Sequence, residues 1–238
     1  MAKRKSKFSF KRLFYKAVLY FFAISIGLVL VFKFLPIPFT LTMAGEQLSA
    51  LIDDKDHTLY YEWRSIEEIS PELAIAVVAS EDQLFPEHHG FDVKAIQSVL
   101  ESAEDKKRMR GASTISQQVA KNVFLWQGRS WIRKGLETYY TVLIELIWGK
   151  KRILEVYMNV AEMGPMVFGA ESASKRFLGK TAAKINRSNA CRLAAVLPNP
   201  KKYNAHRPGP YIQKRTRAIE RQVRALGGKS YLKDIGID

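Results

Sequence analysis

Apolar residues are distributed along this chain in two ways. From Ala17 to Phe32 they form one block of sixteen residues without a charge. Elsewhere they recur at helical spacing between polar positions. The block is slightly shorter than the roughly 20 residues that cross a bilayer core, and Lys16 and Lys33 at its ends extend it by snorkelling. It predicts a transmembrane anchor over 17–35, behind a basic tail over 1–16. Pro36, Pro38 and Gly45 then predict a juxtamembrane linker over 36–50, and Asp53 to Asp56 a polar loop. The remaining 51–238 reads as one folded domain. Ser70-Pro71-Glu72 is a helix start, followed by the apolar run Leu73 to Ala79. Further helices are predicted over Phe91 to Glu101, from the capping box Thr114-x-x-Gln117, over Trp131 to Trp148, and over Ile153 to Val160 after a polar break at 149–152. Ala170 to Phe177, Ser188 to Leu197 and Pro210 to Leu226 complete the set. Thr58 to Tyr61 is the best strand signal, so the fold class is mainly α.

Charge adds a direction. The net charge is +15, and Lys3, Arg4, Lys5, Lys7, Lys11, Arg12 and Lys16 all precede the apolar block. No matching basic flank follows it, which predicts a cytoplasmic N-terminus and an extracytoplasmic domain on the plasma (inner) membrane. A cleaved signal peptide is the rival reading, but Pro36 and Pro38 stand where a small-residue cleavage site would be. A basic surface suits anionic lipid, phosphorylated substrates or nucleic acid. The membrane segment favours the first two, and no nucleic-acid partner is expected. The single Cys191 excludes an intramolecular disulfide.

Several residues carry candidate chemistry. Glu81 closes the helix opened at Ser70, next to Val77, Val78 and Phe85. The negative end of the helix dipole and apolar neighbours both raise a carboxylate pKa, which suits a general acid or base. A solvated acid at a helix end is the plain alternative. Asp82 supports its neighbour or caps the following turn. His88-His89 lacks further ligands for a metal site and reads as loop packing. Ser113 or Thr114 caps a helix whose first-turn amides are expected to face an anion, with Lys121 on the same face as Gln117. A capped helix beside the solvated basic loop 106–110 is the alternative. Arg129, Arg133, Lys134 and Glu137 form a second cluster, in which Arg133 and Glu137 can simply pair. Glu145 lies on a neighbouring face and needs a partner if buried. Phe124, Trp126, Trp131, Tyr139, Tyr140 and Trp148 read as core or as a patch near lipid headgroups.

Taken in order, these motifs resemble the monofunctional biosynthetic peptidoglycan transglycosylases, which share their domain with the glycosyltransferase half of bifunctional penicillin-binding proteins. The resemblance covers roughly residues 55 to 225 in five blocks. They are Glu81-Asp-x-x-Phe85-x-x-His88-x-Gly90, and Gly111-x-Ser-Thr-Ile-x-Gln-Gln-x-x-Lys-Asn122. The third runs from Arg133-Lys-x-x-Glu137 through Lys150-x-x-Ile153-Leu-Glu-x-Tyr157-x-Asn159. The fourth is Asn159 to Lys180 with Gly164, Gly169 and Phe177, and the fifth is Leu193 to Pro200. Gly164-Pro165-Met166 and Asn189-Ala-Cys191-Arg192 depart from the usual pattern, which puts local packing in question.

The resemblance implies a lysozyme-like helical domain that polymerises lipid II into β-1,4 glycan strands, without a transpeptidase domain. Glu81 is then the base and Glu137 the second essential acid, orienting Arg133 or holding a divalent cation (Mg or Mn) against the diphosphate. No other cofactor is implied. Asp82, Phe85, His88, Ser113, Thr114, Gln117, Gln118, Lys121, Asn122, Arg129, Arg133 and Lys134 are carried over as substrate-binding. Lipid II, the lipid-linked strand and the membrane are the expected partners, along with cell-wall synthesis or division proteins. The rivals are a lytic enzyme of the same fold type and a tethered wall-binding protein without enzymatic activity.

Overall fold

A computed structural model describes residues 10–101, 113–128 and 130–237. The first nine residues of the basic tail, the run 106–110, Gly111 and Arg129 lie outside the described residues. The chain divides into two units, residues 1–36 and 37–238.

The first unit is helix α1, Phe10–Phe34. Its 25 residues span about 37 Å at 1.5 Å per residue, enough to cross a hydrocarbon core of about 30 Å. Its most apolar 18-residue window has a mean hydropathy of 2.3. The helix starts before the apolar block because Lys11, Arg12, Leu13 and Lys16 are good helix formers and no breaker precedes them.

The second unit opens with a correction. Most of the expected linker 36–50 is helix α2, Leu41–Ile52. Thr40 caps it, its hydroxyl accepting from the Met43 N–H at 3.2 Å. Pro36 and Pro38 stop the chain before the helix rather than inside it, and Gly45 is tolerated on its exposed face.

Helix α3, Pro71–Glu81, has proline in its first turn and is buried from Leu73 to Ala79. It is the central helix, packed against α9, Arg187–Val196, and α10, Pro210–Ala225. Helix α4 is Val93–Glu101. Helix α5, Ile115–Phe124, packs against α6, Trp131–Ile147, and α7, Gly149–Val160. The break between α6 and α7 falls at Trp148–Gly149, where Gly149 takes a φ of +75°. The polar residues 150–152 belong to the first turn of α7 and do not interrupt it.

Strand signals understated a small sheet. Strands β1, Tyr60–Tyr61, β2, Glu162–Gly164, and β3, Val167–Phe168, lie in the order β1-β3-β2. Strand β1 runs parallel to β3 with Tyr60 opposite Val167, and β2 runs antiparallel. Helix α8, Ala170–Leu178, follows directly. Gly169 precedes it at φ +82°, where an added Cβ would sit 2.4 Å from the Asn159 carbonyl oxygen. A 3₁₀ segment, Gly228–Ile235, returns to α3.

The two readings of the aromatic residues divide between two groups. Phe124 stacks on Tyr140 with centroids 4.5 Å apart, beside Trp148. Trp126 and Trp131 are exposed, Trp131 at 92%.

Candidate active site

Glu81 is the last residue of α3, and its side chain is 14% exposed. Its Oε2 accepts from the Gln118 amide at 3.2 Å, and its Oε1 lies 3.7 Å from the Arg215 guanidinium. Gln118 is itself oriented, because its Oε1 accepts from the buried Tyr157 hydroxyl at 3.3 Å. Burial pushes the Glu81 carboxyl above its ordinary range, while the Gln118 hydrogen bond and the Arg215 charge pull it back.

Asp82 caps α3 and faces away from solvent. Its carboxylate accepts from the Ile115 N–H at 2.9 Å and meets His88 Nε2 at 2.9 and 3.0 Å. His88 Nδ1 accepts from the Gly90 N–H at 3.1 Å, so Nε2 carries the proton toward Asp82. Thr114 accepts from the Gln117 N–H at 3.2 Å and donates to the Gly90 carbonyl at 2.6 Å, while Gln117 Oε1 accepts from the Thr114 N–H at 3.1 Å. The first two sequence blocks are thus stitched together.

That stitching changes one expectation. The Ile115 and Gln117 amides at the start of α5 already have partners, so they are not an open cradle for an anion. The cations lie further along α5 and on α6. Lys121 is buried enough to lower its pKa, with the Glu137 charge opposing and Arg133 and Lys134 adding to the shift. Arg133 Nη1 donates to Glu137 Oε2 at 2.8 Å, and Lys134 pairs with Glu137 Oε1. Glu137 itself is buried. The buried Arg133 Nε has no hydrogen-bond partner. Both Glu137 oxygens face cations, and among the described residues no cluster of three metal-ligating side chains exists. This pairing orients Arg133.

Helix α5 links the two halves, since Gln118 donates to Glu81 and Lys121, one turn on, lies within the electrostatic influence of Glu137, Arg133 and Lys134. Three adjoining cavities follow this line. One of about 510 Å³ is lined by Glu81, Ser113, Gln118, Asn199, Tyr211 and Arg215, among others. One of about 260 Å³ shares Glu81, Asp82, Ser113 and Thr114. One of about 180 Å³ is lined by Gln118, Lys121, Asn122 and Tyr157.

The residues 45–224 match the family model described as Transglycosylase. The chain belongs to the transglycosylase family. It is 52% identical over 217 residues to the biosynthetic peptidoglycan transglycosylase of Xanthomonas campestris pv. campestris (strain B100), covering 91% of this chain and 88% of that one. It is 51% identical over 223 residues to the protein of the same description from Pseudomonas aeruginosa, covering 94% of this chain and 96% of that one.

Within this transglycosylase not every motif residue reaches the cleft. Phe85 is fully buried under the Lys150 ammonium, which lies 4.6 Å from its ring centre. Gln117 is spent on the cap, and His88 holds Asp82, which both lines the cavity of about 260 Å³ and takes the Ile115 amide. Asn159 binds the Arg64 backbone with both ends of its amide, at 2.8 Å each, so it is structural. Glu145 pairs with Lys150 at 2.8 Å and with Ser116. In the fourth block Gly164 leaves room for the Phe177 ring, which an added Cβ would meet at 2.4 Å. The departure Met166 occupies the β2–β3 turn at φ +58°. Cys191 is fully buried, and burial pushes its thiol up to about 12.

Sequence reasoning missed Arg215, Tyr157, Asn199 and the pair Tyr203 and Tyr211. Arg215 had a signal. It falls on the same helical stripe as the buried Ile212, Ile219 and Val223, where a cation needs a reason to be. Ten or more other charges and polar residues on and around α10 masked it.

Proposed function

We propose that this chain polymerises lipid II into peptidoglycan glycan strands by inverting glycosyl transfer. Glu81 takes the proton of the 4-hydroxyl on the acceptor sugar. That oxygen attacks the anomeric carbon of the lipid-linked strand from the side opposite its diphosphate. The new C–O bond forms as the bond to the diphosphate breaks, and undecaprenyl diphosphate leaves with the electron pair. Lys121, Arg133 and Lys134 stabilise the charge that develops on it, with Arg129 assigned to the same task. Glu137 holds Arg133 and Lys134 in place. Ser113 and Asn122 supply hydrogen bonds along it.

One observation carries this reading: α5 bears both Gln118, which donates to the largely buried Glu81 carboxyl, and Lys121, one turn on, whose charge feels the Arg133–Lys134–Glu137 cluster. A lytic enzyme needs the acid but not the cations. The membrane helix α1 supports an N-terminus in the cytoplasm and a catalytic domain outside, where the lipid-linked substrate is polymerised. The test is polymerisation of labelled lipid II by wild type and Glu81→Gln. Loss of a general base costs about 10²–10⁴-fold. Turnover within tenfold of wild type would remove Glu81 from this role.

A further inference from the structure

The 3₁₀ segment Gly228–Ile235 begins beyond residue 224, where the family match ends, and none of the steps above uses it. Gly227 and Gly228, at φ +86° and +68°, turn the chain back after α10. The segment then runs along α3. Tyr231 meets the turn that follows α3, while Gly236 and Ile237 share a cavity of about 270 Å³ with Pro71 at the start of that helix. Leu232 and Ile237 are buried and pin the segment down.

Tyr231 does more than pack. Its hydroxyl lies 2.8 Å from the Gln83 carbonyl oxygen and 3.1 Å from a Glu87 carboxylate oxygen, and it donates its one proton between them. Burial and then the Glu87 hydrogen bond push its pKa up to about 12, so it keeps that proton at neutral pH. Gln83 is held a second time, its side-chain amide donating to the Ala79 carbonyl at 3.1 Å. That carbonyl belongs to the last turn of α3, where helix carbonyls lack intrahelical partners. The same turn is fastened to α5 through Asp82 and His88. Residues 82–88 are thus tied to two separate elements, and they continue directly from Glu81.

We propose that Tyr231 is a positioning residue for Glu81. Its hydroxyl clamps the turn after α3, so that the carboxyl at the end of that helix stays buried against Gln118 and faces the cleft. This rests on the reading of Glu81 as the base and goes beyond it, since Tyr231 lines none of the three cavities of the cleft. A side chain on the final residue of a helix needs such a clamp because helix ends fray. A looser turn lets Glu81 swing and admits water to it. Misplacing a reacting group by about 1 Å costs about 100-fold in rate, so a smaller displacement costs severalfold. Water around Glu81 also brings its pKa down toward the ordinary range, because burial is the first cause of its rise.

The test is lipid II polymerisation by the full-length chain and two variants. Tyr231→Phe keeps the ring and removes the clamp. It should lower kcat about fivefold, with KM within about twofold and Tm within about 2 °C of wild type. The acidic limb of its kcat profile should move to lower pH, since Glu81 is better hydrated. The other charged or titratable groups beside Glu81 are Arg215 on α10, Asp82, and Tyr157 on α7, and the substitution touches none of them. Tyr231→Ala should lower kcat at least as far, and Tm as well. A silent Tyr231→Phe overturns the proposal, and an impaired Tyr231→Ala beside it would mean that the ring only packs. A loss carried by KM, or a fall in kcat with the acidic limb in place, overturns it too. Wild-type turnover in Glu81→Gln would instead remove the base assignment on which the proposal rests.

Discussion

Glu81 shows how a single carboxyl is tuned by opposing neighbours. Burial raises its pKa first, and Gln118, Arg215 and Ser80 act against that while the Asp82 charge adds to it. The buried Tyr157 hydroxyl stands behind Gln118. A base works only when deprotonated, so the acidic limb of kcat/KM should lie above the ordinary glutamate value of about 4.3. Lys121 must be charged to hold a diphosphate, and its lowered pKa brings the alkaline limb below the ordinary lysine value of about 10.4. Arg215→Gln removes a charge that favours the carboxylate, so the acidic limb should move to higher pH. A limb that stays in place would mean that it reports another group. Glu162 gives a separate test of stability. Burial and then the Glu46 charge raise its pKa to about 7, with Lys201 opposing. Its native pKa exceeds its unfolded one, so its contribution is whole below about pH 4.3 and is lost as pH rises to about 7. Glu162→Gln should therefore raise Tm more at about pH 8 than at about pH 5, and equal shifts at both would contradict the assignment.

Among the elements, α5 was the most legible and the most altered by its surroundings. Thr114-x-x-Gln117 predicted its cap, and the cap forms. The sequence did not reveal that Asp82, thirty-three residues earlier, takes the Ile115 amide, because that partner comes from another element. Helix α2 was hidden for a different reason. Two prolines and a glycine outweighed its cap and apolar positions in a local reading, although the prolines precede the helix. The turn before α8 is where backbone geometry allows least change. Gly169 has a φ of +82° and lies against the Asn159 carbonyl. Gly169→Ala should destabilise the domain by about 2–3 kcal/mol in denaturant unfolding, and a cost near zero would show that the turn relaxes.

At the scale of the whole molecule, both substrates of the proposed transfer are lipid-linked, so the cleft works beside a bilayer. The exposed Trp131 and Ile132 directly precede Arg133, and the exposed Trp126 stands earlier in the same connection. Exposed aromatic residues of this kind favour the headgroup region of a bilayer. Replacing Trp131 and Ile132 together by alanine should lower turnover of lipid II embedded in vesicles at least severalfold more than turnover in detergent. Equal losses in both media would place these side chains in substrate binding or folding and not at the lipid surface.

Local physics was enough for much of this protein. A sixteen-residue uncharged block predicted a membrane-crossing segment, and the structure makes it part of one helix long and apolar enough to cross. Helix caps, prolines and 3.6-residue spacing placed most of the helices, and the ordered motifs pointed to glycosyl transfer. Only the tertiary structure decided which motif residues face the cleft. Phe85 and Asn159 became supports, while Tyr157, Tyr211 and Arg215 became walls. Those roles depend on desolvation and on partners more than thirty residues away, which no local pattern encodes.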